Sequence, residues 1–165
     1  MNSSIIQSGS SNTPVVRLRR WGYPLTKTYN GFTGAERVRG WQVCKWLQDT
    51  DQMIDPGKQT CECSICGSTK SSSYHNENYY APWTAKLVCK SCHYLLHTRF
   101  RNGVALDALL KRAGRRKQAK WVYALTSNDV DLACDLRAQH GVGIRDFPEL
   151  NSSPHPFPFE QLYPL

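Results

Sequence analysis

Apolar residues recur at helical spacing from Gly34 to Asp49, where Val38, Trp41, Val43, Trp46 and Leu47 fall towards one face. Thr33 is placed to cap that helix, and Glu36, three residues on, completes a capping box. A second helical stretch runs from Val104 to Ala113, with Leu106, Leu109 and Leu110 on its apolar side, and Asn102-Gly103 before it reads as a helix stop. A third runs from about Asn128 to His140 behind a Ser127 cap, with Val130, Ala133, Cys134 and Arg137 recurring, and ends at Gly141. Trp121 to Leu125 reads as a strand or as the start of that last helix. Asp55-Pro56-Gly57 marks a turn. The pattern fails at both ends. Residues 1–30 form an irregular arm with Arg17, Arg19 and Arg20 beside Trp21 and Tyr23, suited to phosphates and stacking. Residues 142–165 interleave prolines with Phe147, Phe157, Phe159 and Tyr163, a density that forbids regular structure. One domain, 31–141, remains between them, with its core at 61–101.

Composition narrows the class. A chain of 165 residues sets the scale of a single small domain. No apolar run approaches the length of a bilayer span, and neither a basic start nor an apolar stretch opens the chain as a secretory signal would. A cytoplasmic address with no membrane partner is therefore expected. Lys and Arg number 21 against 13 Asp and Glu, and a formal charge of +8 favours nucleic acid or another anionic partner.

The seven cysteines are odd in number and include two Cys-x-x-Cys pairs, a pattern of metal binding rather than disulfides. Cys63 and Cys66 form a knuckle closed by Gly67; Cys89 and Cys92 form the second pair, 26 residues on when counted from Cys63. Four thiolates close every position of a tetrahedral zinc ion, so this zinc is structural. Cys61 and Cys44 are read as thiols outside the site. A helix is expected to open at Cys92, which sets His93 and His97 four apart on one face. His75 stands in a Ser/Tyr-rich stretch that reads as a strand, with Glu77 on the same strand face. A strand histidine opposite two helix histidines can hold a second metal ion.

Cys-x-x-Cys, then His75-Asn-Glu-Asn-Tyr79, then Leu-Val-Cys-x-x-Cys-His-x-x-x-His resembles the zinc-bearing HNH endonucleases, the ββα-metal class, over about Cys61 to Arg101. The resemblance implies an α+β fold with a small, treble-clef-like, zinc-stapled core and flanking helices. It implies an endonuclease that hydrolyses DNA phosphodiesters with Mg2+ or Mn2+. The metal would be held by His93, His97 and His75, and His75, His93, His97 and Glu77 would be the catalytic set. In that family a strand pair supplies one metal ligand and then the base. Here the pair falls as His75-Asn76, where the base is missing, or as Tyr74-His75, where the ligand is a tyrosine. Arg99, Arg101, Arg112, Arg115, Arg116 and Lys117 follow the active helix, where phosphate contacts belong. The alternative is a catalytically degenerate HNH-fold module that binds nucleic acid through zinc-stapled structure alone. A third reading is a zinc nucleobase deaminase, because His75-x-Glu77 followed by Cys89-x-x-Cys92 imitates that signature. A homodimer suits double-strand cleavage by a protein with one site.

Overall fold

The structure is a computed structural model, and it describes residues 27–70 and 72–140. The arginine-bearing arm before residue 27, the proline-rich tail and His155 lie outside the described residues, as does the Gly141 stop.

Helix α1 spans Gly34–Asp49 and begins as its sequence requires. The Thr33 side chain accepts from the Glu36 amide and the Glu36 carboxylate accepts from the Thr33 amide. Strands β1 (Ser72–His75) and β2 (Lys86–Cys89) pair antiparallel, with Ser73 opposite Val88 and His75 opposite Lys86. Helix α2 (Lys90–Thr98) follows β2 directly, and helices α3 (Gly103–Ala113) and α4 (Leu132–His140) complete the chain. The expected α+β architecture, a two-stranded hairpin with helices around it, is the one observed.

Helix starts differ from the reading above at three places, each for a local reason. Cys89, not Cys92, caps α2, so both histidines sit one turn deeper in the helix than expected. Asn102 starts α3 instead of stopping α2, because its side-chain oxygen accepts from the Val104 amide. Asp131 accepts from the Cys134 amide and starts α4 four residues later than Ser127 would have. Val130 is left exposed as a result. Residues Lys117–Ala124 wind as a 3-10 helix, neither a strand nor the start of α4.

Two apolar cores hold these elements. The first joins α1 to the loop after β1: Val43, Trp46 and Leu47 pack with Phe32, Tyr79, Tyr80 and Ala133. Gly40 lets that loop approach, since a Cβ there would sit 2.8 Å from the Tyr79 carbonyl oxygen. The second core joins the metal-site cysteines to α2, α3 and the 3-10 helix through Ile65, Val88, Leu96, Leu109, Ala119 and Val122. The folded region also starts before residue 31. Tyr29 and Phe32 exchange backbone hydrogen bonds across an Asn30-Gly31 turn in which both central residues have positive φ. Tyr29 and Asn30, assigned above to the arm, are buried in the domain.

Candidate metal centre

The four sulfurs of Cys63, Cys66, Cys89 and Cys92 lie within 4.8 Å of one another, and the Cys66 and Cys89 sulfurs are 3.7 Å apart. A tetrahedron of thiolates about 2.3 Å from zinc has edges of about 3.8 Å, so this set has the right size and donor chemistry for the ion. Local structure builds it. The Gly67 amide donates to the Cys63 carbonyl and the Cys63 amide to Ser68, closing the knuckle around Gly67 at φ +77°. The Ser64 amide donates to Leu87 at 2.7 Å and fastens the knuckle to β2. Cys89 caps α2 and Cys92 lies in its first turn, where the helix dipole favours thiolates. Arg112 of α3 donates to Ser91 and to the Cys92 sulfur at 3.6 Å. A hydrogen bond shared between Cys63 and Cys92 pulls Cys63 down to about 4 and pushes Cys92 up. Cys61 stays outside the cluster, its thiol donating to the Gln59 carbonyl. Cys44 is buried in α1, and burial raises its thiol to about 11.

The second cluster brings together the three histidines named from the sequence. His75 ends β1, and His93 and His97 face it from α2, with ligating nitrogens within 4.8 Å of one another. Ring centroids lie 5.2 Å (His75–His93), 5.1 Å (His75–His97) and 4.8 Å (His93–His97) apart.

Hydrogen bonds assign the ring nitrogens. His75 Nε2 lies 2.7 Å from Glu77 Oε1. Burial opposes the charge on Glu77, but His75 and Arg99 prevail and hold its pKa down at about 2. An ionised carboxylate only accepts, so His75 Nε2 carries a proton, and in the neutral ring Nδ1 holds the lone pair that a metal ion would take. That Nδ1 is buried and has no hydrogen-bond partner among the described residues. His93 Nδ1 is 2.9 Å from Ser73 Oγ, which leaves Nε2 open. Both rings therefore present one free nitrogen while the other is fixed by a neighbour, the arrangement that orients metal-ligating histidines. Burial first, then the neighbouring His75, lowers His93 to about 4 and His97 to about 3, so both are neutral near pH 7.

Glu77 does not join this cluster. It stands behind His75, where its oxygens are shared among His75, Tyr29, Asn30 and Arg99. The histidine group offers nitrogens alone, with no carboxylate oxygen among its donors. Three imidazoles suit zinc or a neighbouring transition ion, whereas Mg2+ and Mn2+ favour carboxylate and water oxygen. The Mg2+ or Mn2+ expectation thus does not fit these donors. Nor does the deaminase reading, which needs His75 on the same ion as Cys89 and Cys92. Those cysteines sit with Cys63 and Cys66, and His75 sits with the other histidines.

Among the basic residues named for nucleic acid, Arg99 is buried. It donates to Glu77, Tyr29, Leu96 and Thr126, so its charge is engaged inside the fold. Arg101, Arg112, Arg115 and Lys117 are exposed, and half-buried Arg116 pairs with Glu62. Reading the sequence missed Tyr29, Asn30 and Ser73. The Asn30-Gly31 dipeptide is a strong hairpin signal that would have placed the first two inside the fold. Among the described residues no helix is long and apolar enough to cross a membrane.

Acidification should unfold the protein early. His93 and His97 titrate below their unfolded value, so the unfolded chain binds more protons between about pH 6.5 and their folded values. Stability is complete above about pH 6.5 and falls as pH drops through that window, with metal release acting in the same direction. Denaturant midpoints measured from pH 7.5 to pH 5 should decline, and His97→Gln should flatten the decline.

The hairpin, the helix that follows it and the two clusters define a zinc-binding module of the ββα type. Comparison with known proteins takes this no further: no family model, curated protein or solved structure matches the chain.

Proposed function

We propose that this chain is a nucleic-acid-binding module with an HNH-like fold, whose four cysteines hold a structural zinc and whose histidine triad holds a second zinc without hydrolysing phosphodiesters. One observation carries the reading. His75 lies with both α2 histidines, which suits the ligand position of the strand pair, and the residue after it, where the nucleases this chain resembles have a base, is Asn76, a buried amide. An amide has no basic lone pair near neutral pH, and the nearest carboxylate, Glu77, is neutralised by Arg99. Support for nucleic acid comes from the overall charge and from the exposed cations Arg101, Lys111, Arg112, Arg115, Lys117 and Lys120 on and around α3. Such a face binds phosphates with steep salt dependence and little sequence preference.

The endonuclease reading keeps one observation of its own. His93 and His97 line an open groove of about 610 Å³ with Arg37, Trp41, Lys90 and Tyr94, two of them cationic. A single experiment separates the two. Purified protein is titrated into labelled DNA at several salt concentrations and incubated with plasmid in Mg2+, Mn2+ or Zn2+. The expected result is binding that weakens steeply with salt, a slope reduced by about two in the Arg115→Glu/Lys117→Glu variant, and intact plasmid. Nicking that His75→Ala abolishes would overturn this reading in favour of the nuclease.

A further inference from the structure

Behind His75, on the side away from α2, lies a cavity of about 390 Å³ that neither metal cluster uses. That volume falls in the range of small-ligand sites. Its walls are largely apolar, from Trp121, Ala124, Leu125, Val130 and Leu132; its polar lining is the amides and hydroxyls of Asn30, Asn78, Thr84 and Thr126, with His75 and the mutually paired Glu77 and Arg99 at its back. Lys86, at the end of β2, adds an exposed cation.

Besides His75 Nδ1, two buried polar atoms on residues of this wall have no partner among the described residues. One belongs to Asn30, which is 2% exposed. Its Nδ2 donates to the Glu77 carbonyl and carboxylate, and because those oxygens only accept, the amide cannot flip. The atom left over is Oδ1, an unmet acceptor. The other is the indole Nε1–H of Trp121, an unmet donor. Buried groups of this kind are rare in native proteins and call for a partner. The Trp121 ring runs nearly parallel to His75, at 22° and 6.5 Å, so the cavity has one flat aromatic wall.

A ligand that answers all of this is planar, offers a donor and an acceptor, and continues into an anion that Lys86 can meet. We propose that the cavity takes a single unstacked nucleobase, with its phosphate at Lys86. This deepens the nucleic-acid reading above and rests on it. Stacking on an indole would supply affinity, and the Asn30 amide would meet the base edge. Because Glu77 and Arg99 line both the cavity and the back of His75, an occupant would touch the network that orients that ring.

The test compares a short single strand of DNA with its fully abasic counterpart of equal length and charge, each titrated by fluorescence anisotropy into the zinc-loaded protein. The expected result is binding of the normal strand about tenfold tighter than the abasic one. The Val130→Trp variant, which blocks the cavity mouth at an exposed position, should bind both strands at the abasic level and keep their salt dependence. Equal binding of the two strands by the unaltered protein would overturn the base pocket and leave the phosphate-binding reading standing. Binding of neither strand would overturn both.

Discussion

Cys92→Ser is expected to abolish the folded state of the hairpin and α2, not merely weaken it. Cys92 is fully buried, sits in the first turn of α2 and belongs to the four-sulfur cluster that forms part of the second core. Structural zinc contributes about 10–16 kcal/mol of apparent binding free energy, which is folding free energy in a small module. The whole stability of such a domain is about 5–15 kcal/mol, so loss of the ion decides the outcome. Circular dichroism and zinc content should both collapse in Cys92→Ser, and a strong chelator should reproduce the effect on the unaltered protein. Cys134→Ser should change neither, because Cys134 is exposed and lies outside the cluster. A Cys92→Ser variant that keeps its zinc and its helical signal would show that these thiols pack without a metal.

Arg99→Met should have the next largest effect. The guanidinium is almost fully buried and satisfies Glu77, the Tyr29 hydroxyl and two carbonyls, so it ties the Asn30 turn, the loop after β1 and the segment before α4 to one point. Removing it leaves the Glu77 carboxylate without its cation in a low-dielectric setting, at a cost of about 3 kcal/mol. Urea unfolding should show this as a lower midpoint with little change in slope. Adding Glu77→Gln should recover part of the loss, because a neutral amide no longer needs the cation. No recovery would mean that Arg99 acts through its contacts to Tyr29 and Thr126 instead.

Much of the site was legible in the sequence because metal chemistry is local. Two Cys-x-x-Cys pairs and a His-x-x-x-His repeat fix their own geometry through turn and helix spacing, and the structure brings together the same four cysteines and three histidines. Glu77 was misread because strand periodicity was extended past the end of β1 at His75; beyond it the chain turns and the carboxylate swings behind the ring. Arg99 was counted with its basic neighbours because charge runs say nothing about burial. Its partners Glu77, Tyr29 and Thr126 are 22, 70 and 27 residues away, and pairings that long-range leave no periodic trace. The two strand registers were open for a related reason. The proximity of His75 to both α2 histidines, which supports the proposed register in which Asn76 follows the ligand, is a long-range contact of the same kind.

The most direct measurement is metal content after zinc-saturated purification and exhaustive dialysis, on the unaltered protein and on His97→Ala. About two zinc ions per chain are expected, falling to about one in His97→Ala, with X-ray absorption showing nitrogen scattering lost and sulfur scattering kept. One zinc ion in both proteins, with sulfur ligands alone, would contradict a second zinc site built from the three histidines.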